Sequence, residues 1–595
     1  MFKNLQPLFP YLKKYRLTLF WGAMTVLFNN GIWVLFPQVL RRAIDDLNHT
    51  ATRQKFLIYS LLLLAIALSK GVFQFLTRWL MIGVSREIEY DLRNDMFAHL
   101  ERLPYAYFQK NRTGDIMARA TNDLNAVRML LGPAIMYTAN TLVFTLAALA
   151  FMWRTSPKLT IYAFLPLPLA SVIIQYFGRR IHERFERIQA QFSEISARAQ
   201  ENFSGARLIR AYAQEDAEIA LFERSNLEYV ARSLPLARLM GMLWPALELL
   251  LGLAIALVLW LGPREVLQQH ITLGGFVAFL TYIVMLTWPV IALGWVINIF
   301  QRGLASMGRI NEILVAQPDI NDAAVADDLK HGKSIRGALE FRHLNFSYNG
   351  TQVLKDINLE VPAGSSLAIV GPTGAGKTTL VSLIPRIFDV ANDAKGGEAY
   401  TPAASGQLLL DGRPLREYPL EVVRRNIGFV PQETFLFSDT VRENIAFGVE
   451  SATDEQVRAA AEAASIATDI EAFPDQYQTM VGERGITLSG GQKQRTAIAR
   501  AIIRDPRILV LDDALASVDT YTEEKILNHL REVMQDRTTI FISHRVSTVR
   551  NADRIAVLHE GRIVELGTHE ELLARNGYYT ELYNKQLLEE ELAQV

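Results

Sequence analysis

Six long apolar stretches before residue 301 constrain this chain more than any other feature. They lie near 17–40, 56–82, 129–153, 159–178, 243–262 and 273–300. Each is close to or above the roughly 20 residues an α-helix needs to cross bilayer hydrocarbon. One such run also suits a helix buried in a soluble core, but six in succession do not. The first half therefore reads as a membrane domain of six helices. Pro37, Pro166, Pro168 and Pro289 fall within these runs. Membrane helices tolerate them because neighbours re-satisfy the carbonyls that a proline frees.

The gaps between the runs are unequal. Those near 41–55, 154–158 and 263–272 are short, whereas 83–128 and 179–242 are long, polar and rich in arginine. Arg86, Arg93, Arg102, Arg112, Arg119 and Arg128 lie in the first, and Arg179, Arg180, Arg184, Arg187, Arg198, Arg207 and Arg210 in the second. The excess of arginine places both segments in the cytoplasm, together with the two ends of the chain. Helical periodicity runs through both, so the membrane helices are expected to extend past the bilayer. Each long segment is interrupted, at Leu103-Pro104-Tyr105-Ala106-Tyr107-Phe108 and at Asn202-Phe203-Ser204-Gly205 through Ala211-Tyr212. Aromatic residues beside such breaks suit short crosswise helices docked on another domain. Lys13, Lys14 and Arg16 precede the first apolar run, which is too long for a signal-peptide core and reads as a retained anchor.

Charged residues are scarce within the runs, and Glu248 stands out. A carboxylate is costly in hydrocarbon and usually faces a cavity or a partner, so Glu248 is a candidate cavity residue with a preference for cations. Asn29, Asn30, Asn140 and Asn298 are milder cases. They line a polar cavity or hydrogen-bond between helices. The net charge of −1 gives no sign of nucleic-acid binding, and the absence of cysteine excludes disulfides and thiol chemistry.

The pattern changes after residue 315. A polar linker over 316–336 leads into short β-rich runs alternating with helices, from 337 to 595. Leu367-Ala368-Ile369-Val370 reads as a buried strand running into Gly371, Pro372, Thr373, Gly374, Ala375, Gly376, Lys377 and Thr378, with Thr379 opening a helix. This is a P-loop in its proper strand–loop–helix context. The loop N–H groups cradle phosphates, Lys377 reaches the terminal ones, and Thr378 supplies an oxygen to Mg²⁺. Ile508-Leu509-Val510-Leu511 is a second buried strand whose end carries Asp512, the expected Mg²⁺ partner. Leu488-Ser489-Gly490-Gly491-Gln492 precedes a helical run and forms another anion site, from a hydroxyl and glycine N–H groups at a helix start.

Two phosphate sites in one chain, a P-loop and Leu-Ser-Gly-Gly-Gln, resemble the ATP-binding cassette proteins. Fusion to six spans makes the chain similar to bacterial half-size ABC exporters of the multidrug and lipid-A-flippase type. The resemblance implies an α-helical six-span membrane domain (1–315) fused to an α/β P-loop cassette (337–595). It implies ATP and Mg²⁺ as ligands, ATP-driven export of lipids, drugs or other amphipathic molecules, and location in the bacterial cytoplasmic membrane. In that family two cassettes dimerise head to tail, and each Ser489-type motif closes over the other's ATP, so a second half-transporter is required. By the same resemblance Tyr348 stacks on adenine and Gln432 senses Mg²⁺. Asp519 crosses the dimer interface, and His544 contacts the γ-phosphate. Asp513 stands where most cassettes have the glutamate that orients the attacking water. That departure favours a non-identical partner over a second copy, and it also admits an ATP-binding membrane sensor with weak hydrolysis. The residues from Val390 to Ala404 form an insertion relative to the family, read as an exposed loop.

Overall fold

The computed structural model describes residues 2–49, 52–329, 334–348, 350–390, 404–482, 488–515, 526, 529, 534–543 and 545–593. The chain divides into two compact units. One comprises residues 1–97 and 117–314, and the other residues 98–116 and 315–595.

The first unit is helical. Among the described residues, five helices are long and apolar enough to cross a membrane: Arg16–Leu47, Arg53–Leu100, Thr113–Thr155, Glu215–Leu267 and Leu273–Val315. Arg53–Leu100 has 48 residues. At 1.5 Å per residue it is about 72 Å long, more than twice the roughly 30 Å of hydrocarbon. The stretch 159–178 lies across two helices, Pro157–Phe164 and Leu167–Ser204, and is not among the five. Pro166 and Pro168 account for the division, since neither has an N–H to continue the ladder. Pro37 lies in the first turn of the helix Phe36–His49, where a missing N–H costs nothing. Many large apolar side chains point outward, among them Leu57, Leu61, Phe75 and Trp79, as a surface facing lipid requires. The helices pack through buried polar contacts as well as apolar ones. Tyr282 donates to the Val34 carbonyl at 2.7 Å, and Ser306 donates to Asp123 at 2.9 Å, beside the Arg309–Asp123 pair.

The second unit holds two sheets. A four-stranded antiparallel sheet has the order β2-β1-β4-β5, with β1 at Leu339–Tyr348, β2 at Thr351–Val361, β4 at Ala404–Leu410 and β5 at Arg413–Pro414. A six-stranded sheet has the order β10-β9-β3-β8-β7-β6. Its members are β3 (Ser366–Val370), β6 (Ile427–Val430), β7 (Ile508–Asp512), β8 (Thr538–Ile542), β9 (Arg554–His559) and β10 (Arg562–Gly567). All its neighbours run parallel except β10, which lies antiparallel to β9. Every residue of β7 and β8 is buried, which is why these strands read as unbroken apolar runs and not as alternating ones.

The short helix Tyr105–Lys110 belongs to this second unit. Pro104, in extended backbone geometry, stands at its N-cap position, and a proline disfavours helical geometry in the residue before it. Tyr107 is buried, Ala106 packs on the core of the two sheets, and the Tyr105 ring lies 6.0 Å from that of Phe388. The other interruption forms the helix Ala206–Ala211 in the first unit, with Phe203, Leu208 and Tyr212 exposed.

Candidate functional site: an ATP-binding cassette and a membrane cavity

The carboxyl ends of β3, β6 and β7 lie at one edge of the parallel sheet, where ligands of α/β folds bind. β3 leads into Gly371–Gly376, and the helix Lys377–Ser382 follows. Two glycines are fixed by geometry. Gly371 has φ +150°, and a Cβ there would lie 2.0 Å from the Leu558 carbonyl oxygen on β9. Gly376 has φ +101°, and its Cβ would meet Leu354 at 2.9 Å. Only glycine adopts these angles in that space.

Lys377 is buried, and its Nζ donates to the carbonyls of Gly371 (2.8 Å) and Pro372 (2.9 Å). Burial pushes the ammonium down from its ordinary range, while the nearby Asp513 and Asp512 charges pull it back up. Asp512 is the last residue of β7 and is buried. Its Oδ1 accepts from the Thr378 hydroxyl at 3.1 Å, which ties the end of β7 to the P-loop across β8. Its Oδ2 is buried without a hydrogen-bond partner, and burial pushes the carboxyl above the usual carboxylate range. An orphaned carboxylate oxygen beside a threonine hydroxyl is a donor set that suits a hard dication.

Asp513 sits in a left-handed bend at φ +49°, where its N–H donates to the Ile542 carbonyl at 3.1 Å. The bend turns the chain off β7 against the end of β8. Val430 pairs with Leu511, so Gln432 leaves β6 at the edge that carries Asp512 and Asp513, and it is exposed. Tyr348 ends β1 half-buried, its hydroxyl hydrogen-bonded to Thr379 of the P-loop helix and its ring 5.3 Å from Phe388. His544 and Asp519 lie outside the described residues, as do 391–403 of the insertion and 483–487.

Ser489 caps the helix Gly490–Ile502 in a reciprocal arrangement. Its Oγ accepts from the Gln492 N–H at 3.3 Å, and Gln492 Oε1 accepts from the Ser489 N–H at 3.0 Å. Gln492 Nε2 reaches Asp469 at 3.0 Å, and Arg495 pairs with the same carboxylate at 2.8 Å. These bonds join the start of this helix to itself and to Asp469 on the helix Ala467–Glu471. Asp469 escaped the sequence analysis because it carries no motif; only the fold brings it beside Gln492.

In the membrane unit, Asn29, Asn30 and Asn140 meet at the wall of a cavity of about 420 Å³. Asn30 Nδ2 donates to Asn140 Oδ1 at 2.8 Å. Glu248 and Asn298, the other cavity candidates, are exposed and do not line it. Two charged residues that the sequence analysis passed over do line it, Lys70 and Arg78, both within the apolar run 56–82.

A helical membrane domain joined to a P-loop cassette, with a separate Ser-Gly-Gly helix start, defines a membrane transport ATPase. Comparison with known proteins gives the family. Residues 19–290 match the ABC transporter transmembrane region and 354–516 match the ABC transporter cassette. The chain is 36% identical to a probable multidrug resistance ABC transporter ATP-binding/permease protein, YheI of Bacillus subtilis, over 99% of this chain and 98% of that protein. It is 37% identical to the ATP-dependent lipid A-core flippase of Desulfotalea psychrophila, over 89% of this chain and 90% of the relative. The solved structure of a bacterial Atm1-family ABC exporter with ATP bound superposes with a TM-score of 0.78 at 28% identity, covering 96% of this chain and 98% of that one. The chain belongs to the ABC transporter family as a half-size exporter, which couples ATP hydrolysis to export across the membrane and works as a dimer.

Proposed function

We propose that this chain exports amphipathic molecules, lipids or drugs, from the cytoplasm or inner leaflet, as one half of a heterodimer. The names of its relatives, a multidrug transporter and a lipid A-core flippase, support that substrate range. Lys377 and the loop Gly371–Thr378 hold the ATP phosphates, and Tyr348 meets the adenine. Thr378, Asp512 and Gln432 hold Mg²⁺, which when bound neutralises charge on the phosphates. Ser489, Gly490, Gly491 and Gln492 close over the nucleotide of the partner chain. His544 and Asp519 take their family roles at the γ-phosphate and the dimer interface. The arginine-rich segments support cytoplasmic termini. The apolar side chains of Phe203, Leu208 and Tyr212 suit docking on a cassette of the partner.

Asp513 carries the heterodimer reading. Its side chain is one methylene shorter than the family's usual glutamate, which withdraws the carboxylate by about 1 Å from where a water would be oriented. A misplacement of that order costs about a hundredfold in rate. A second chain with a working base, completed by the intact Ser489 motif of this one, restores hydrolysis. The test is Asp513→Asn in the natively purified complex. Most ATPase activity survives if the partner supplies the base. Near-complete loss, with Asp513→Glu faster than the wild type, would establish a homodimer instead.

A further inference from the structure

The membrane cavity carries positive charge without a carboxylate to balance it. Lys70, Gln74, Thr77 and Arg78 all line it from the helix Arg53–Leu100. Their spacing of four, three and one puts them on one helical face, as the 3.6-residue period requires. No Asp or Glu is among the lining residues, and among the described residues neither Lys70 nor Arg78 forms an ion pair. The Lys70 ammonium sits 3.6 Å from the centre of the Trp33 ring, a cation–π contact that orients the charge without neutralising it. Thr77, only 2% exposed, has a hydroxyl without a hydrogen-bond partner. Lys70 lies seventeen residues into the helix, about 25 Å from its start, too far to snorkel out at that end.

An isolated cation within a span is unfavourable and is kept where something in the cavity offsets it. Among the described residues no carboxylate does so, and the unpaired Thr77 hydroxyl lines the same cavity. Trp33, Phe144 and Trp288 supply aromatic wall to the same cavity. We propose that the cavity binds an amphipathic anion, whose phosphate, sulfonate or carboxylate group is held by Lys70, Thr77 and Arg78 and whose apolar body lies against the aromatic wall. This inference rests on the export reading and narrows its substrate class.

The test compares dodecyl phosphate with dodecyltrimethylammonium, amphiphilic ions of the same alkyl chain and opposite head-group charge, on the purified complex in phosphatidylcholine vesicles. The half-stimulating concentration for ATPase should be about tenfold or more lower for the anion, the scale of a few charge-assisted hydrogen bonds. Lys70→Met with Arg78→Gln should raise the anion value at least tenfold and leave the cation value within about twofold, while Lys70→Arg keeps the preference. Equal responses to both ions in the wild-type complex would overturn the proposal without any variant having to fold. So would an equal shift of both ions in the neutralised variant. A further arm adds phosphatidylglycerol to the vesicles. Stimulation by it alone identifies a lipid headgroup as the anion's source, and no effect, where the added anion does stimulate, identifies a free amphiphile. ATP-driven export of the cation without anion preference refutes this inference alone. Absence of export for every amphiphile, with ATPase intact, refutes the export reading beneath it.

Discussion

Replacing Gly371 by alanine tests how the P-loop is built into the sheet. The glycine lies at φ +150°, a region that residues with a side chain avoid at a cost of about 1–3 kcal/mol. An alanine Cβ would also lie 2.0 Å from the Leu558 carbonyl oxygen. That oxygen belongs to the backbone of β9, which pairs with β3 through Val370 and Val557, so it does not rotate away. Overpacking of this kind costs roughly a further 1–3 kcal/mol. The two terms together give about 2–6 kcal/mol. Gly374 is the internal control. It has φ +83° with nothing within 4 Å of a Cβ, so Gly374→Ala carries the conformational cost of roughly 1–2 kcal/mol and no clash. Thermal melting of the detergent-solubilised complex, with and without ATP, reads the difference. At about 2–4 °C per kcal/mol, Gly371→Ala should melt several degrees below Gly374→Ala and bind ATP more weakly. Equal melting temperatures would show that the loop relaxes away from β9 freely, and the argument from close approach would fail.

Lys377→Ala should abolish ATP binding at this chain's own P-loop, and efflux with it, while the protein still inserts and dimerises, because it removes the phosphate-facing charge and no membrane contact; unchanged ATP-driven efflux in vesicles would contradict the assignment. Asp512→Asn should weaken Mg²⁺-dependent nucleotide binding at this chain's own P-loop yet raise the nucleotide-free melting temperature at neutral pH. The sign follows from burial: a carboxyl raised above its ordinary range is unfavourably ionised in the folded state. Its destabilising effect therefore sets in as pH climbs from the ordinary carboxylate value through the raised one, and is absent below that window. Melting curves of both proteins across pH should converge at the acid end; a lower melting temperature for the variant at pH 7 would refute the burial argument. Asp469→Ala should weaken the signature helix by freeing Gln492 and Arg495, lowering ATPase in the complex about tenfold or more while ATP binding to the P-loop is retained, measured with a fluorescent nucleotide.

The features legible in the amino-acid sequence were those written in short or periodic stretches. The apolar runs announce membrane helices because span length is a local property of composition. Gly371–Thr378 announces a P-loop because its chemistry depends on consecutive backbone groups, and the strands around Leu367 and Leu509 are legible because parallel strands are buried on both faces. Which distant groups touch, and how closely, came from packing, although Asp512 was already expected beside Thr378 and the Pro104 break on another domain. It attached residues 98–116 to the cassette unit through Tyr107 and the Tyr105–Phe388 contact. It paired Thr378 with Asp512 and set Asp469 beneath Gln492, at separations of 134 and 23 residues. It also changed the charge of the cavity. Glu248 drew notice as a lone acid in an apolar run, whereas Lys70 and Arg78 were diluted by the apolar residues on the other faces of a long helix. A linear reading averages over those faces; only packing selects the one that lines the cavity.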